Sequence, residues 1–460
     1  MISENIGKFT QILRGALIGR DHADYEDARR LYNAMIDKRP LLIAKCTDAA
    51  DVIASVNFGR DNELPIAVRG GGHNGAGFAS VDDGIVIDLS PMRGVRVDPV
   101  KRTVRVGAGC TTGEVDHATH AFGLAIPFGV VSTTGVAGLT LNGGHGYLTR
   151  QYGLAIDNLI EADVVLADGT LVTASKAERP DLFWGLRGGG GNFGVVTSFL
   201  FEAHPADSVY AGPIFWELKD AATVMRWYRE FLATAPDEFY VFLGLQTVPS
   251  ADPFPVEHRG KKICVLLVSY NGAVADGEKA VNAVRRALPQ PIVDFAGPIP
   301  YPTLQGMFDG LFPKGLQWYW KGDFVKTLPD AAIEAHIEQV AKAPSEPSCM
   351  HLYPIDAAVH RKARDETAWN CRDATWSMVI AGVDADPRQA ATLKKWATDY
   401  WQAVHPFNLD GAYPNFMMDD EGDVRLKATY GDNYEGLVHL KKKYDGSNLF
   451  RMNHNIRPAA

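Results

Sequence analysis

The residues best suited to chemistry lie in one run, Arg69-Gly70-Gly71-Gly72-His73-Asn74-Gly75-Ala76-Gly77, which follows the apolar stretch 64–68. Glycine has no Cβ, so consecutive glycines take conformations closed to other residues and bring their N–H groups close to a ligand. Such a run suits a diphosphate, and His73 inside it would stand beside whatever the backbone grips. Gly70, Gly72 and Gly75 also satisfy the spacing G-x-G-x-x-G. A nicotinamide-dinucleotide site with that spacing needs a helix directly after the turn, because the helix N-terminus holds the pyrophosphate. Here Gly75-Ala76-Gly77-Phe78 leads to Gly84-Ile85-Val86-Ile87-Asp88-Leu89, which reads as a strand. The Rossmann reading therefore fails on context, and the bland alternative is a glycine-rich surface turn with an incidental histidine.

Two further clusters argue against the bland reading. Residues 129–147 carry glycines at 129, 135, 138, 143, 144 and 146, with Thr134, Asn142 and His145 among them. The third cluster, Gly188-Gly189-Gly190-Gly191-Asn192-Phe193-Gly194-Val195-Val196-Thr197, runs into an apolar strand ending near His204-Pro205. Glycines at this density weaken the interior of a helix or strand, so burial against a flat ligand is the economical explanation. Three such loops, each beside a strand, predict a large, flat, phosphate-bearing ligand held largely by backbone.

The rest of the chain must position these loops. At 460 residues it is long enough for two or three domains, and 46% hydrophobic with 22% charged residues describes a globular protein. A net charge of −9 without a basic run argues against nucleic acid or an anionic membrane as partner. Five widely spaced cysteines without a C-x-x-C pair suit a reducing compartment and disfavour a disulfide framework or a cysteine-ligated metal. No signal peptide or bilayer-length apolar run is recognisable, so the expected location is the cytoplasm. No H-E-x-x-H, paired-carboxylate or Walker pattern supports a metal or nucleotide-hydrolysis mechanism.

Helical spacing is found at 6–16 and 25–36, and 40–44 reads as extended. With a helix over 52–58 this predicts a β–α–β opening that ends on the first glycine loop. Strands are expected at 84–90 and 103–109, a helix at 113–122, and a hairpin over 161–174 with an Asp168-Gly169 turn. After about residue 206 glycine clusters become rare. Strands at 211–218, 239–248, 262–269, 350–355 and 376–381 alternate with amphipathic helices at 221–235, 277–288, 330–342 and 387–405, which reads as an inserted α+β part built on an antiparallel sheet. The tail has its own pattern: Tyr413-Pro414-Asn415-Phe416, a helix over 434–444, then Asn453-His454-Asn455-Ile456-Arg457-Pro458.

Arg69-Gly70-Gly71-Gly72-His73-Asn74, the 129–147 segment, Tyr152-Gly153-Leu154 with Asp157-Asn158, Gly188 to Thr197, and the tail motifs together resemble the berberine-bridge-enzyme-like FAD-linked oxidases. These belong to the vanillyl-alcohol-oxidase/PCMH superfamily, and the bacterial 6-hydroxy-nicotine-oxidase type is the most similar. The resemblance covers essentially the whole chain in order, with the substrate part matched only loosely. It implies a two-part PCMH-type FAD-binding domain, residues 1–206 completed by the return at 411–460, and a substrate-binding domain at 207–410.

The family pattern places a covalent flavin 8α link on His73. Arg69, Gly70, Gly71 and Gly72 would cradle the diphosphate, with Asn74 and Gly77 beside them. Thr134, Gly135, Gly138, Asn142, Gly143, Gly144, His145, Gly146, Asp157, Gly191, Gly194, Val195 and Val196 would pack along the rest of the cofactor. A second, cysteinyl tether would fall at Val131, so a single covalent bond is expected. Thr134 occupies the position associated with oxygen access, which leaves oxidase against dehydrogenase open.

For the chemistry, Tyr413 and Asn415 alternate on an expected strand and so share one face, toward flavin or substrate. His351 and Tyr353 share another strand face, and Tyr319-Trp320-Lys321 offers an aromatic wall and a cation; for these the sequence leaves a site role and plain packing equally open. Asn453 and Asn455 are assigned to the flavin. His145 is either a cofactor neighbour or a backbone contact with a solvent-facing ring. His117 and His120 are expected at the surface, and Cys110 as packing.

The function expected is hydride transfer from a CH–OH or CH–NH carbon of a small organic substrate to flavin N5, with a protein base accepting the proton and dioxygen or another acceptor completing the cycle. Reoxidation by dioxygen would release hydrogen peroxide. The alternatives carried beside it are an oligosaccharide oxidase and a flavin-binding protein without redox turnover. The oligomeric state is left open, a homodimer included.

Overall fold

In the computed structural model, which describes residues 2–459, three main β-sheets carry the chain. The first has four strands in the spatial order Leu17–Gly19, Leu42–Lys45, Ile85–Asp88, Ile66–Arg69. Ile85–Asp88 runs parallel to both neighbours and all four of its residues are buried, as expected of a central parallel strand covered on both faces. The helix Ala49–Asp61 makes the crossover, its first turn capped by the Asp48 side chain on the Asp51 N–H.

The second sheet is antiparallel, in the order Val95–Asp98, Thr103–Gly107, Val195–Glu202, Leu159–Val165, Leu171–Ser175. Its hairpin turns at Asp168-Gly169, where Gly169 has φ +86°. The helix Thr112–His120 begins on a capping box between Thr111 and Glu114.

The third sheet forms most of residues 208–384 and is antiparallel throughout, with Ser208–Glu217, Lys262–Tyr270, Phe239–Thr247, Cys349–Pro354, Trp376–Asp384 and Gln317–Val325 in that order. All nine residues of Gln317–Val325 are buried, because both faces of the sheet are covered. On one face lie amphipathic helices: Ala221–Leu232 buries Val224, Met225, Tyr228 and Leu232, and Ala390–Val404 buries Leu393, Trp396, Ala397, Tyr400 and Val404. Two large cores result. One is drawn mainly from residues 206–404, and the other joins residues 9–203 to the tail through Tyr430, Leu437, Leu440, Phe450 and Ile456.

Three sequence expectations are corrected. The helix over 25–36 stops at Arg29, because Tyr32 and Asn33 are drawn into long-range contacts: Tyr32 Oη donates to Phe312 O (2.7 Å) and Asn33 Nδ2 donates to Gly75 O (2.8 Å) and Trp318 O (3.0 Å). Within 129–147, Val136–Leu141 forms a short helix despite Gly138. The strand expected at Tyr413 is instead a 3₁₀ turn, Pro414–Phe416, since proline opens a turn readily and cannot donate to a sheet ladder. Among the described residues no helix is long and apolar enough to cross a membrane, and no cluster of three or more His, Cys, Asp or Glu could hold a metal.

Candidate active site

One large cavity opens where the glycine loops meet the face of the third sheet that lies opposite its helices. Its floor begins with Gly70, Gly71, Gly72, His73 and Asn74. Gly72 has φ +70°, a conformation that favours glycine. Gly71 backs directly onto Gly135, and a Cβ on either would strike the other's backbone, so the first two glycine loops can lie side by side only as glycines. Gly138 and Gly191 also border the cavity, and a Cβ on either would meet no protein atom within 4 Å. Thr134, Asn142, His145, Gly194, Val195, Val196 and Asn453 complete this half of the wall. All three glycine clusters thus face the same space.

His73 is fixed from two sides. Its ring stacks on Tyr32 (centroids 4.0 Å apart, 19° between planes), and Nε2 lies 3.0 Å from Thr133 Oγ1. Burial lowers its pKa to about 4. At neutral pH the imidazole therefore keeps a free lone pair.

Opposite it runs a chain of polar groups. Asn142 Nδ2 donates to Asn415 Oδ1 (3.1 Å), and Asn415 Nδ2 donates to Tyr413 Oη (2.8 Å), which also accepts from the Gly144 N–H (3.1 Å). Two N–H donors stabilise the phenol oxygen, yet burial prevails and pushes Tyr413 up to about 12. His145 is packed against Tyr413 (4.5 Å) and Tyr353 (5.3 Å), and neither of its buried ring nitrogens has a hydrogen-bond partner. Burial alone lowers it to about 3. Its ring faces the cavity rather than solvent.

The far wall combines the third sheet with the segment 306–316 and the Pro414–Phe416 turn. Phe308, Phe312, Trp318, Trp320 and Phe416 supply aromatic surface, and His351 and Tyr353 share one strand face there, as their spacing implied. Among the described residues no Asp, Glu, Lys or Arg borders the cavity.

Several predicted residues lie elsewhere. Lys321 is turned away into a buried ion pair with Asp420 (2.9 Å) and Glu421 (3.0 Å), so its charge is compensated outside the cavity. Asp157 forms a two-pronged pair with Arg372 (2.8 Å on both oxygens) and closes the Leu154 turn through its N–H; it fixes a loop rather than a ligand. Arg69 sends its guanidinium to Ala28 O and Ala79 O, while its own carbonyl accepts from Leu89 N–H within the sheet edge. Gly77, Gly143, Gly144 and Gly146 do not border the cavity. A Cβ on them would strike Ile36, Trp369, Ala155 and the Phe128 carbonyl respectively, so they are glycine for packing. Asn455 stands just past the wall that Asn453 and His454 form.

Sequence reasoning missed Tyr32, Thr133 and Gln246. Thr133 lay inside a quoted motif and could have been found by its proximity to Thr134. Tyr32 and Gln246 come from segments without any motif.

The comparisons with known proteins agree with this geometry. Residues 40–175 match a model described as an FAD binding domain, and residues 412–457 match one described as berberine and berberine like. An FAD-linked oxidoreductase of Dictyostelium discoideum is 30% identical over 98% of this chain and 97% of its own length. The (R)-6-hydroxynicotine oxidase of Paenarthrobacter nicotinovorans is also 30% identical, over 97% of each chain. The chain belongs to the berberine-bridge-enzyme-like FAD-linked oxidoreductases. Its architecture is the PCMH-type FAD-binding fold with an α+β substrate part, and the crystal structure of 6-hydroxy-D-nicotine oxidase from Arthrobacter nicotinovorans superposes with a TM-score of 0.86 at 27% identity, covering 97% of this chain and 98% of that one.

The cavity suits the FAD that defines this family. Gly138 and Gly191 leave open space where a side chain would otherwise stand, and Asn453 Oδ1 and both His145 nitrogens are buried without partners. An unpartnered buried polar atom costs about 1–3 kcal/mol, so a ligand that supplies the partners is favoured there.

Proposed function

We propose that the protein is an FAD-linked oxidase whose flavin is bonded to His73 and whose substrate is a compact, uncharged aromatic or heterocyclic alcohol or amine. The observation that carries this reading is the convergence of three glycine clusters, His73 and an uncharged aromatic wall on one cavity. Similarity to an (R)-6-hydroxynicotine oxidase supports the same class. In this reading residues 1–206 and 411–460 hold the cofactor and residues 207–410 cover the substrate. Its cytoplasmic placement rests on five cysteines that are all free thiols.

The oxidant for hydride removal from the donor carbon would be FAD held by the three glycine loops and His73, with dioxygen or another acceptor completing the cycle and hydrogen peroxide as the product in the oxidase case. In the tautomer whose Nε2–H is donated to Thr133, His73 would present Nδ1 as the nucleophilic nitrogen. Position 131, where a second tether would sit, is valine, so one covalent bond is expected. Tyr413 Oη already accepts two N–H groups, so its own hydrogen is free to point at a donor's oxygen or nitrogen. Asn142 and Asn415 hold that phenol in place. Phe308, Phe312, Trp318 and Trp320 exclude water and offer flat apolar surface to a ring. An oligosaccharide, which needs many polar partners along its length, finds few here.

Acid precipitation followed by a visible spectrum of the pellet tests the attachment: yellow colour is retained by the wild type and lost in His73→Ala. Anaerobic mixing with a panel of 6-hydroxynicotine enantiomers, aryl alcohols, arylmethylamines and chito- or xylo-oligosaccharides tests the substrate class. Bleaching by aryl donors is expected; bleaching by the sugars alone would overturn the assignment.

A further inference from the structure

On the substrate wall, His351 and Tyr353 are two residues apart on Cys349–Pro354 and therefore point the same way. His351 Nδ1 lies 2.7 Å from Tyr353 Oη, and Nε2 lies 3.2 Å from Gln246 Oε1 on the adjoining strand Phe239–Thr247. The residue paired with His351 on that strand is Gly244, where a Cβ would come within 3.0 Å of the imidazole, so the glycine makes room for the ring. Among the described residues no hydrogen bond or ion pair brings a charged group to it. Phe242 (5.3 Å) and Phe308 (6.4 Å) pack beside it, and the titratable groups on its own strand face are Tyr353 and the buried Cys349 thiol.

With the carbonyl oxygen of the Gln246 amide turned to the ring, the placement of the hydrogens follows. A carbonyl oxygen accepts only, so Gln246 Oε1 requires a hydrogen on His351 Nε2. A neutral imidazole has one N–H, so Nδ1 must accept, and the donor is the Tyr353 hydroxyl. The remaining lone pairs of Tyr353 Oη are then available to accept from the cavity, which Tyr353 borders. Tyr413 is set the other way: its oxygen accepts two N–H groups and its hydrogen is free. One wall donates and the other accepts.

We propose that Tyr353 is the base that takes the substrate's O–H or N–H proton, that His351 takes the proton Tyr353 gives up, and that Gln246 is a positioning residue which sets the His351 tautomer. The proposal rests on the oxidase reading above and deepens it. In the step, the substrate's X–H bond breaks and its electron pair stays on X. The hydrogen bonds to Tyr353 Oη while the former phenol proton passes to His351 Nδ1. The imidazolium keeps its Nε2–H on Gln246 Oε1, and the proton returns to solvent after product leaves. No charge need build up on the tyrosine itself.

The first test does not depend on turnover. Holoprotein labelled with ¹⁵N-histidine, with His351 assigned by its loss in His351→Asn, is expected to show the Nε2–H tautomer with Nδ1 at the shift of a hydrogen-bonded acceptor. Tyr353→Phe moves Nδ1 to an unbonded shift, Gln246→Leu mixes the tautomers, and Gln246→Glu restores the single one. An Nδ1–H tautomer in the wild type would overturn the proposal. The second test is anaerobic flavin reduction by whichever panel donor bleaches the wild type, with Tyr353→Phe expected to reduce about 10²-fold more slowly at unchanged donor affinity. Gln246→Leu should fall between the two and Gln246→Glu should recover. Wild-type reduction rates in Tyr353→Phe would sink the relay. If no donor bleaches the flavin, it is the oxidase reading that fails, and the tautomer result still decides the hydrogen-bond arrangement.

Discussion

At the scale of single residues, the preparation of His73 depends on two neighbours that bear no motif of their own. Thr133 holds Nε2, and Tyr32 stacks on the ring, so the imidazole enters the cavity in one orientation. Removing one such hydrogen bond costs about 1 kcal/mol, which slows attachment roughly five-fold. Thr133→Val should therefore purify with a smaller fraction of acid-stable flavin, rising on prolonged incubation with FAD; full attachment from the outset would show that the threonine contributes nothing. Glycine density in the sequence pointed to the three loops that border the cavity and to His73 among them, but it did not separate glycines that face the cavity from Gly77, Gly143, Gly144 and Gly146, which are glycine for packing. Lys321 and Asp157 were not legible, because a charge reads as available until its partner is known. Those partners, Asp420 and Arg372, lie 99 and 215 residues away in the chain. Gln246 escaped notice for a related reason: its role exists only through the pairing of its strand with the one that carries His351.

At the scale of elements, the third glycine cluster is held by the C-terminal helix Tyr434–Tyr444. Lys441, wholly buried, donates to Asn192 O (2.8 Å), Phe450 O (2.9 Å) and Asp445 Oδ2 (2.6 Å), which uses all three of its hydrogens. Asn192 in turn accepts from Ile456 N–H and donates to His454 O, so one lysine links the 190–192 turn to the tail. Lys441→Met leaves the Asp445 carboxylate buried without its counter-charge, a change that costs about 3–5 kcal/mol. Urea unfolding should show that loss, with part of it recovered in Lys441→Met/Asp445→Asn; equal stability of wild type and single variant would refute the argument. The long elements were readable from periodicity, as with the helices at Ala221–Leu232 and Ala390–Val404. Short ones were not. The helical pattern of 30–36 yields to the pull of Asn33 on Gly75 and Trp318, and the alternation at Tyr413-Pro414-Asn415 becomes a 3₁₀ turn that still brings the two polar side chains together.

At the scale of the whole molecule, burial of neutral histidines couples stability to pH. His145 and His336 are held at about 3, and His73, His351 and His454 at about 4, in each case chiefly by burial. In the unfolded chain each titrates near about 6.5. Between those values the unfolded state binds up to five protons that the native state refuses. Asp116 runs the other way: burial raises its carboxyl to about 7 in spite of the Gln305 hydrogen bond, so the native state keeps one proton that the unfolded chain gives up. The net uptake on unfolding is five against one. Four protons correspond to a stability slope of roughly 5 kcal/mol per pH unit, and stability must fall as pH drops from about 6.5 toward 4. Against a total of about 5–15 kcal/mol, that slope removes most of the stability by pH 4. Calorimetric melting between pH 7 and 4.5 should show a steep loss below 6.5, and His336→Gln, placed in the helical layer where its Nδ1 meets Tyr400, should flatten the slope by about a quarter. A melting temperature that stays level down to pH 4.5, or a slope unchanged in His336→Gln, would mean that these imidazoles are not held neutral by the fold.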